Sequence, residues 1–258
     1  MRTKVLLGLA ALAAGAVTSM AQSNVYSLNI VGYCNVPTPA GYTFQSNPLD
    51  NGNNSAGVVL PNPGDGVNPA PRDGSAIQEW TGTGFKVSLF DSLTDDTTTG
   101  FTDAIGNPVP APILSSGKGY LYNNGGASNV NTYVGNVRGP GTNTLAMTPR
   151  VPPYAIGSML PLAGGVSSAL GFNNPNPSQT TGPLDGCSVQ TLKVTPSGLA
   201  AGYQVALFDS LTDDTTTGFT DAIGNPVPQP TMTIGQGFFF VNATPSTYTW
   251  TQILTNSP

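Results

Sequence analysis

One stretch of this chain occurs twice. The 22 residues LFDSLTDDTTTGFTDAIGNPVP fill positions 89–110 and return unchanged at 207–228, an offset of 118. Self-similarity at a fixed period marks a repeated architecture, so the chain is expected to contain two tandem copies of one folding unit. The match continues more weakly on both sides. Gly117-Lys118-Gly119-Tyr120-Leu121-Tyr122 aligns with Gly235-Gln236-Gly237-Phe238-Phe239-Phe240, and Phe85-Lys86-Val87 with Tyr203-Gln204-Val205. Further upstream the offset drops to 112, where Asp73 to Gln78 faces Asp185 to Gln190 and Tyr42 faces Tyr154. The length change falls after Trp80, in a turn, where extra residues cost little. Gly139-Pro140-Gly141 breaks helix and ladder alike and sets the expected units at 22–139 and 140–258.

Short runs of alternating apolar residues, punctuated by turn signals, predict strands. Val25 to Val36 and Tyr42 to Ser46 are two of them. Ile77 to Trp80 and Phe85 to Phe90 are expected to form a hairpin about Thr81-Gly82-Thr83-Gly84. A second hairpin is expected from Lys118 to Tyr122 and Asn131 to Val137. Its counterpart uses Gln236 to Val241 and Thr247 to Leu254. Single helical turns are expected at Asn54 to Leu60 and Gly165 to Leu170. The fold class that follows is all-β: two tandem related β-sandwich or barrel-like units with short helical turns. The glycine and proline content, 32 and 24 residues, suits a loop-rich β protein. Disorder is disfavoured because aromatic and β-branched residues cluster in those runs.

The first 21 residues have their own pattern. Met1-Arg2-Thr3-Lys4 is followed by an apolar run, Val5 to Val17, and by Ser19 and Ala21 at the spacing of a cleavage site. This is the pattern of a signal peptide, residues 1–21, and the run is too short to span a bilayer. Without it, six basic residues remain against 13 acidic ones, a net charge of −7. Arg72, Lys86, Lys118, Arg138, Arg150 and Lys193 are scattered, which argues against nucleic acid as a partner. No second apolar span follows, so a secreted, extracellular or cell-surface protein without a membrane span is expected.

The duplicated segment concentrates acid. Asp91, Asp95 and Asp96, with Asp209, Asp213 and Asp214, offer hard oxygen ligands of the kind calcium takes. Their D-x-x-x-D-D spacing lacks the alternate-residue pattern of a calcium loop, and Asp and Thr serve equally as turn formers. Calcium is therefore the one cofactor entertained, beside the reading that there is none. Trp80, Tyr120 and Tyr122 are candidates for stacking on a sugar ring; alternate aromatics on strands otherwise form core. Cys34 and Cys187 sit at non-equivalent places in the two copies. They either bridge the units or pack as separate small core residues.

Catalysis has few residues to draw on. The chain has no histidine, which removes imidazole bases and imidazole metal ligands. Two cysteines do not make a thiolate zinc site. A carboxylate pair for glycoside hydrolysis would have to use Glu79 and Asp73, and the second copy has Thr191 in place of Glu79. No catalytic residues are assigned. The Gly-x-Gly-aromatic motifs at 117–120 and 235–238 lack the third glycine and helix of a phosphate cradle. They are expected to be positive-φ turns or bulges ahead of core strands.

The stretch Ser23-Asn24-Val25-Tyr26-Ser27-Leu28-Asn29-Ile30-Val31-Gly32-Tyr33 resembles the mature start of secreted β-rich repeat proteins of Verrucomicrobia-type bacteria. Trp80-Thr81-Gly82-Thr83-Gly84-Phe85 and Gly235 to Phe239 are similar to motifs of the same set. The resemblance implies export and a β-rich repeat, and carries over no activity and no site residues. The expected function is that of a secreted, non-catalytic structural, adhesive or matrix-type protein, whose partners are itself or other extracellular proteins. A carbohydrate-binding module with a polysaccharide partner is the alternative, and a polysaccharide-acting enzyme the second.

Overall fold

The computed structural model describes residues 31–62, 70–93, 100–139, 141–172, 174, 182–210 and 218–254. The expected signal peptide, the part of the expected first strand that precedes Val31, and Asp95, Asp96, Asp213 and Asp214 lie outside them. What is described is nearly all strand and turn.

In the first half, β1 (Val31–Thr38) and β7 (Asn129–Asn136) form an antiparallel two-stranded ladder. Strand alternation shows in β1, where Cys34, Val36 and Thr38 are buried and Tyr33, Asn35 and Pro37 exposed. A five-stranded sheet has the order β2 (Gly41–Ser46), β6 (Gly119–Asn124), β3 (Ala76–Trp80), β4 (Phe85–Phe90), β5 (Phe101–Thr102). The expected hairpin of β3 and β4 is present, with Trp80 opposite Phe85. A single-turn helix, α1 (Ala56–Val59), sits in the expected place.

The second half repeats this order. Its sheet runs β9 (Arg150–Gly157), β15 (Gly237–Asn242), β11 (Ser188–Val194), β12 (Ala200–Phe208), β13 (Phe219–Thr220). Its ladder pairs β8 (Gly141–Met147) with β16 (Tyr248–Leu254). The longer β11–β12 connection is taken up by a register shift between Leu192 and Val194. Prolines 152 and 153 fall in β9, an edge strand, where a missing backbone donor is tolerated. Instead of the expected helical turn near Gly165, a two-residue strand β10 (Gly164–Gly165) pairs with β14 (Thr231–Met232). A turn then returns the Ala169 N–H to Gly165 O at 2.9 Å.

Two expected hairpins are corrected. β6 does not pair with β7, nor β15 with β16; each pair is split between a sheet and a ladder. The reason is geometric. β6 already has β2 on one edge and β3 on the other, and β15 has β9 and β11. Asn124 fixes the crossing, donating from Nδ2 to Thr38 O at 3.1 Å and Ala127 O at 2.9 Å. Asn242 does the same in the second half, donating to Met147 O and Ser246 O.

Each ladder therefore covers one face of its sheet, and a core fills the gap. The first holds Cys34, Val36, Ile77, Phe90, Tyr120, Tyr122 and Tyr133. The second holds Met147, Val189, Phe172, Phe208, Phe238, Phe240 and Trp250. The opposite faces of the two sheets meet through Phe44, Leu121 and Phe239, with Trp80, Leu192 and Tyr203 around them. Burying a ring such as Phe239 stabilises this contact by about 1.5–3 kcal/mol.

The contact is reciprocal. The Ser46 N–H donates to Gly235 O at 2.8 Å, and the Gly157 N–H to Gly117 O at 3.2 Å. Gln45 bridges to Gln236 as Ile156 does to Lys118. The Gly-x-Gly motifs make this approach feasible. Gly117 and Gly235 have φ of 88° and 74°, as expected of positive-φ turns. At Gly237 a Cβ would lie 2.6 Å from Phe44 Cδ2 and 2.7 Å from Gln45 O, so only glycine lets the other half come so close.

These registers also correct one alignment. Thr43 faces Tyr122 and Tyr154 faces the equivalent Phe240, so Tyr154 corresponds to Thr43 rather than to Tyr42. A one-residue slip turns a side chain to the other face of a strand. Tyr154 packs against the second core, while the Tyr42 hydroxyl accepts from Gln78 Nε2.

Candidate functional site

The acidic residues of the duplicated segment divide into two groups. Asp91 and Asp209 follow β4 and β12, where their N–H groups pair with Gly100 O and Gly218 O at 3.0 Å and close the loops between. The rest of the calcium set is not among the described residues. Those residues contain no group of three acidic or sulfur ligands placed to hold a metal.

Further along, the Asp103 side chain builds a turn. Its Oδ1 accepts from the Ile105 and Asn107 N–H groups at 2.9 Å, and its Oδ2 from Asn107 Nδ2 at 2.9 Å. Asp221 repeats all three with Ile223 and Asn225. Hydrogen bonds from Asn107 and Asn225 hold both carboxyls below the usual carboxylate range. Each turn leaves one isoleucine, Ile105 or Ile223, 85% exposed.

Asp73 and Asp185 act as loop clamps. Burial raises the Asp73 carboxyl, but bonds from Ser92, Ala70 and Asn62 outweigh it and the net shift is downward. Asp185 shows the same balance with Ser210, Asn174 and Gly182. Glu79, the other acid entertained for catalysis, is paired with Lys118. The two carboxylates entertained as a hydrolytic pair are thus engaged separately, one by a loop and one by a lysine.

The proposed sugar-stacking set does not form a platform. Tyr120 and Tyr122 are 1% and 0% exposed, within the first core. A ring with no open face has nothing to offer a sugar. The Tyr120 and Tyr133 hydroxyls bond each other, and burial pushes both phenols well up. Trp80 lies on the opposite face of the sheet, its Nε1 donating to Pro153 O at 2.9 Å and its ring packed on Phe239 and Phe85. Cys34 and Cys187 are free, buried thiols in different cores, which resolves the cysteine alternatives against a bridge. Burial raises both thiols, so neither is primed as a nucleophile.

Two features went unread in the sequence. One is a buried polar network in the first core. Arg72 Nη1 donates to Asn131 Oδ1 at 2.5 Å and to the Tyr122 hydroxyl at 3.2 Å. Asn131 Nδ2 and the Tyr133 hydroxyl both donate to Gln45 Oε1 at 2.9 Å. Lone polar residues in apolar runs were the available signal, but partners 59 and 86 residues apart could not be matched without the fold.

The other is the outer face of the β1–β7 ladder, which carries Val31, Tyr33, Val130 and Val134 in the open. Apolar residues in both phases of the alternation were its signal. Between the halves an apolar cleft of about 390 Å³ is lined by Val36, Tyr42, Phe44, Leu192 and Val194. Asp73, Asp103, Asp185 and Asp221 thus hold loops in place and Glu79 pairs with Lys118, while the β1–β7 face and two turn tips leave apolar side chains open to contact.

No family model, curated protein or solved structure matches this chain.

Proposed function

We propose that this chain is an exported, non-catalytic structural or adhesive protein that works through contacts between its own copies or with other extracellular surfaces. One observation carries this reading. Asp103 and Asp221 accept hydrogen bonds within their own turns, Asp73 and Asp185 from the neighbouring loops at Ser92 and Ser210, and Glu79 is paired with Lys118, while apolar side chains stand exposed on a ladder face and on two identical turn tips. Side chains committed in this way serve rigidity, and exposed apolar groups on rigid supports serve contact.

Export is read from residues 1–21, in keeping with the resemblance to secreted β-rich repeat proteins. No cofactor is part of the proposal.

Sedimentation velocity of the exported protein over a concentration series tests the reading. Reversible self-association is expected, together with an N-terminus at Gln22 by mass spectrometry. A strictly monomeric protein that turns over a polysaccharide would overturn it.

A further inference from the structure

We propose that the outward face of the β1–β7 ladder is the surface through which two copies of this chain associate, each presenting the same face across a two-fold axis. The inference deepens the self-association reading and rests on it.

The face is open and apolar. Val31 and Tyr33 are 69% and 73% exposed, Val130 and Val134 51% and 54%. The fold itself does not demand apolar residues there, and the protein carries its own control. The second ladder buries an equivalent inner face, yet turns Thr142, Thr144, Ala146 and Thr249 outward, with Ile253 near its end the large apolar exception. Threonine forms a strand as valine and tyrosine do and keeps an exposed face polar, so strand formation alone does not call for the apolar patch on the first ladder.

Charge selects the occupant. Without residues 1–21 the chain has six basic and 13 acidic residues, a net charge of −7, so two copies repel each other in general. Neither β1 nor β7 contains a charged residue. A basic partner would be drawn to the acidic turns, whereas a like-charged copy approaches best where no charge is presented.

The pattern along the ladder is also self-complementary. Tyr33 lies opposite Val134, Asn35 opposite Thr132, and Pro37 opposite Val130. Thr132 Oγ1 donates to Asn35 Oδ1 at 2.8 Å, so the central polar pair is satisfied within each copy. Take a two-fold axis running across the strands along that central pair. It places Tyr33 and Val134 of one copy over Pro37 and Val130 of the other, and Asn35 over Asn35. Such an isologous contact closes on itself as a dimer.

The test combines two variants. Tyr33→Thr with Val134→Thr installs the residues found at 144 and 251 of the second ladder, which that ladder accommodates. Sedimentation equilibrium is expected to show at least a tenfold weaker dimer. Asn35→Cys is expected to give a disulfide-linked dimer under mild oxidation, free of interference from the buried native thiols. If the wild type dimerises and the threonine variant dimerises equally well, this face is not the interface, though self-association stands. Absence of the Asn35→Cys cross-link in a protein that dimerises likewise rules this face out, and does so even if the threonine variant fails to fold. A wild type that stays monomeric throughout overturns both readings.

Discussion

Where the first half buries Tyr122 against Ile77, the second buries Phe240 against Val189, and the same exchange recurs around both cores. Tyr120 and Gln45 face each other in one; Phe238 and Ile156 do so in the other. Asn131 and Tyr133 of the first ladder stand where Trp250 and Gln252 stand in the second, counted from the Thr38 and Met147 carbonyls that Asn124 and Asn242 bind. Arg72, one residue before the clamp Asp73, becomes Leu184 before Asp185. One topology therefore accepts two interiors. The first is tied together by directional hydrogen bonds, the second by stacked rings, with Phe172 within 4.6 Å of Trp250 and 5.0 Å of Phe240, centroid to centroid. Backbone pairing sets the architecture, and the interior has only to be complementary. A polar interior is the more exacting of the two, since each of its members needs its partner.

The sharpest way to break this comparison is to remove the ring at the centre of the second core. Phe172→Ala is expected to cost about 3–5 kcal/mol, read as a lower denaturation midpoint, because it leaves a cavity among rigid aromatics. In the first half, Arg72→Leu installs the second half's residue but strands the Asn131 carbonyl and the Tyr122 hydroxyl, at a cost of about 2–3 kcal/mol. Adding Tyr122→Phe removes one stranded partner. A double-mutant cycle in chemical denaturation should then show coupling of about 1 kcal/mol. Strict additivity would mean that the network is not cooperative.

A smaller effect has the opposite sign. The Ser88 hydroxyl is buried in the first core without a partner, and Ala206 stands at the same place opposite Val189. Ser88→Ala should stabilise by about 1 kcal/mol, seen as a higher melting temperature. The smallest effect concerns pH. The Asp73 and Asp185 carboxyls lie below their ordinary value of 3.8 in the folded protein, so their contribution is whole above that pH and is lost as pH falls through the lower, folded value. Asp73→Asn and Asp185→Asn should each flatten the acid limb of the stability profile, and by similar amounts. Unequal flattening would show that the matching clamps differ in environment.

Legibility differed between elements for physical reasons. The β3–β4 hairpin and α1 were readable because their contacts are local. The failed hairpins, β6 with β7 and β15 with β16, had good turn residues and good alternation. They failed because pairing is a competition for edges, and β2, β3, β9 and β11, distant in sequence, already occupied them. The aromatic candidates show the same limit. Tyr120, Leu121 and Tyr122 look alike as a run, but the pleat sends Leu121 to the contact between sheets and the tyrosines to the core.

By itself the sequence determined the all-β class, the position of most strands, the positive-φ role of the Gly-x-Gly turns and the scarcity of acid–base chemistry. Each of these follows from alternation, glycine content or residue inventory, and such signals need only neighbouring residues. Tertiary structure alone decided which strands share a sheet, that Cys34 and Cys187 lie in separate cores, that Arg72 finds Asn131, and which face of the first ladder remains open. Those outcomes depend on what packs against what between segments far apart in the chain, and backbone pairing, not local propensity, makes that choice.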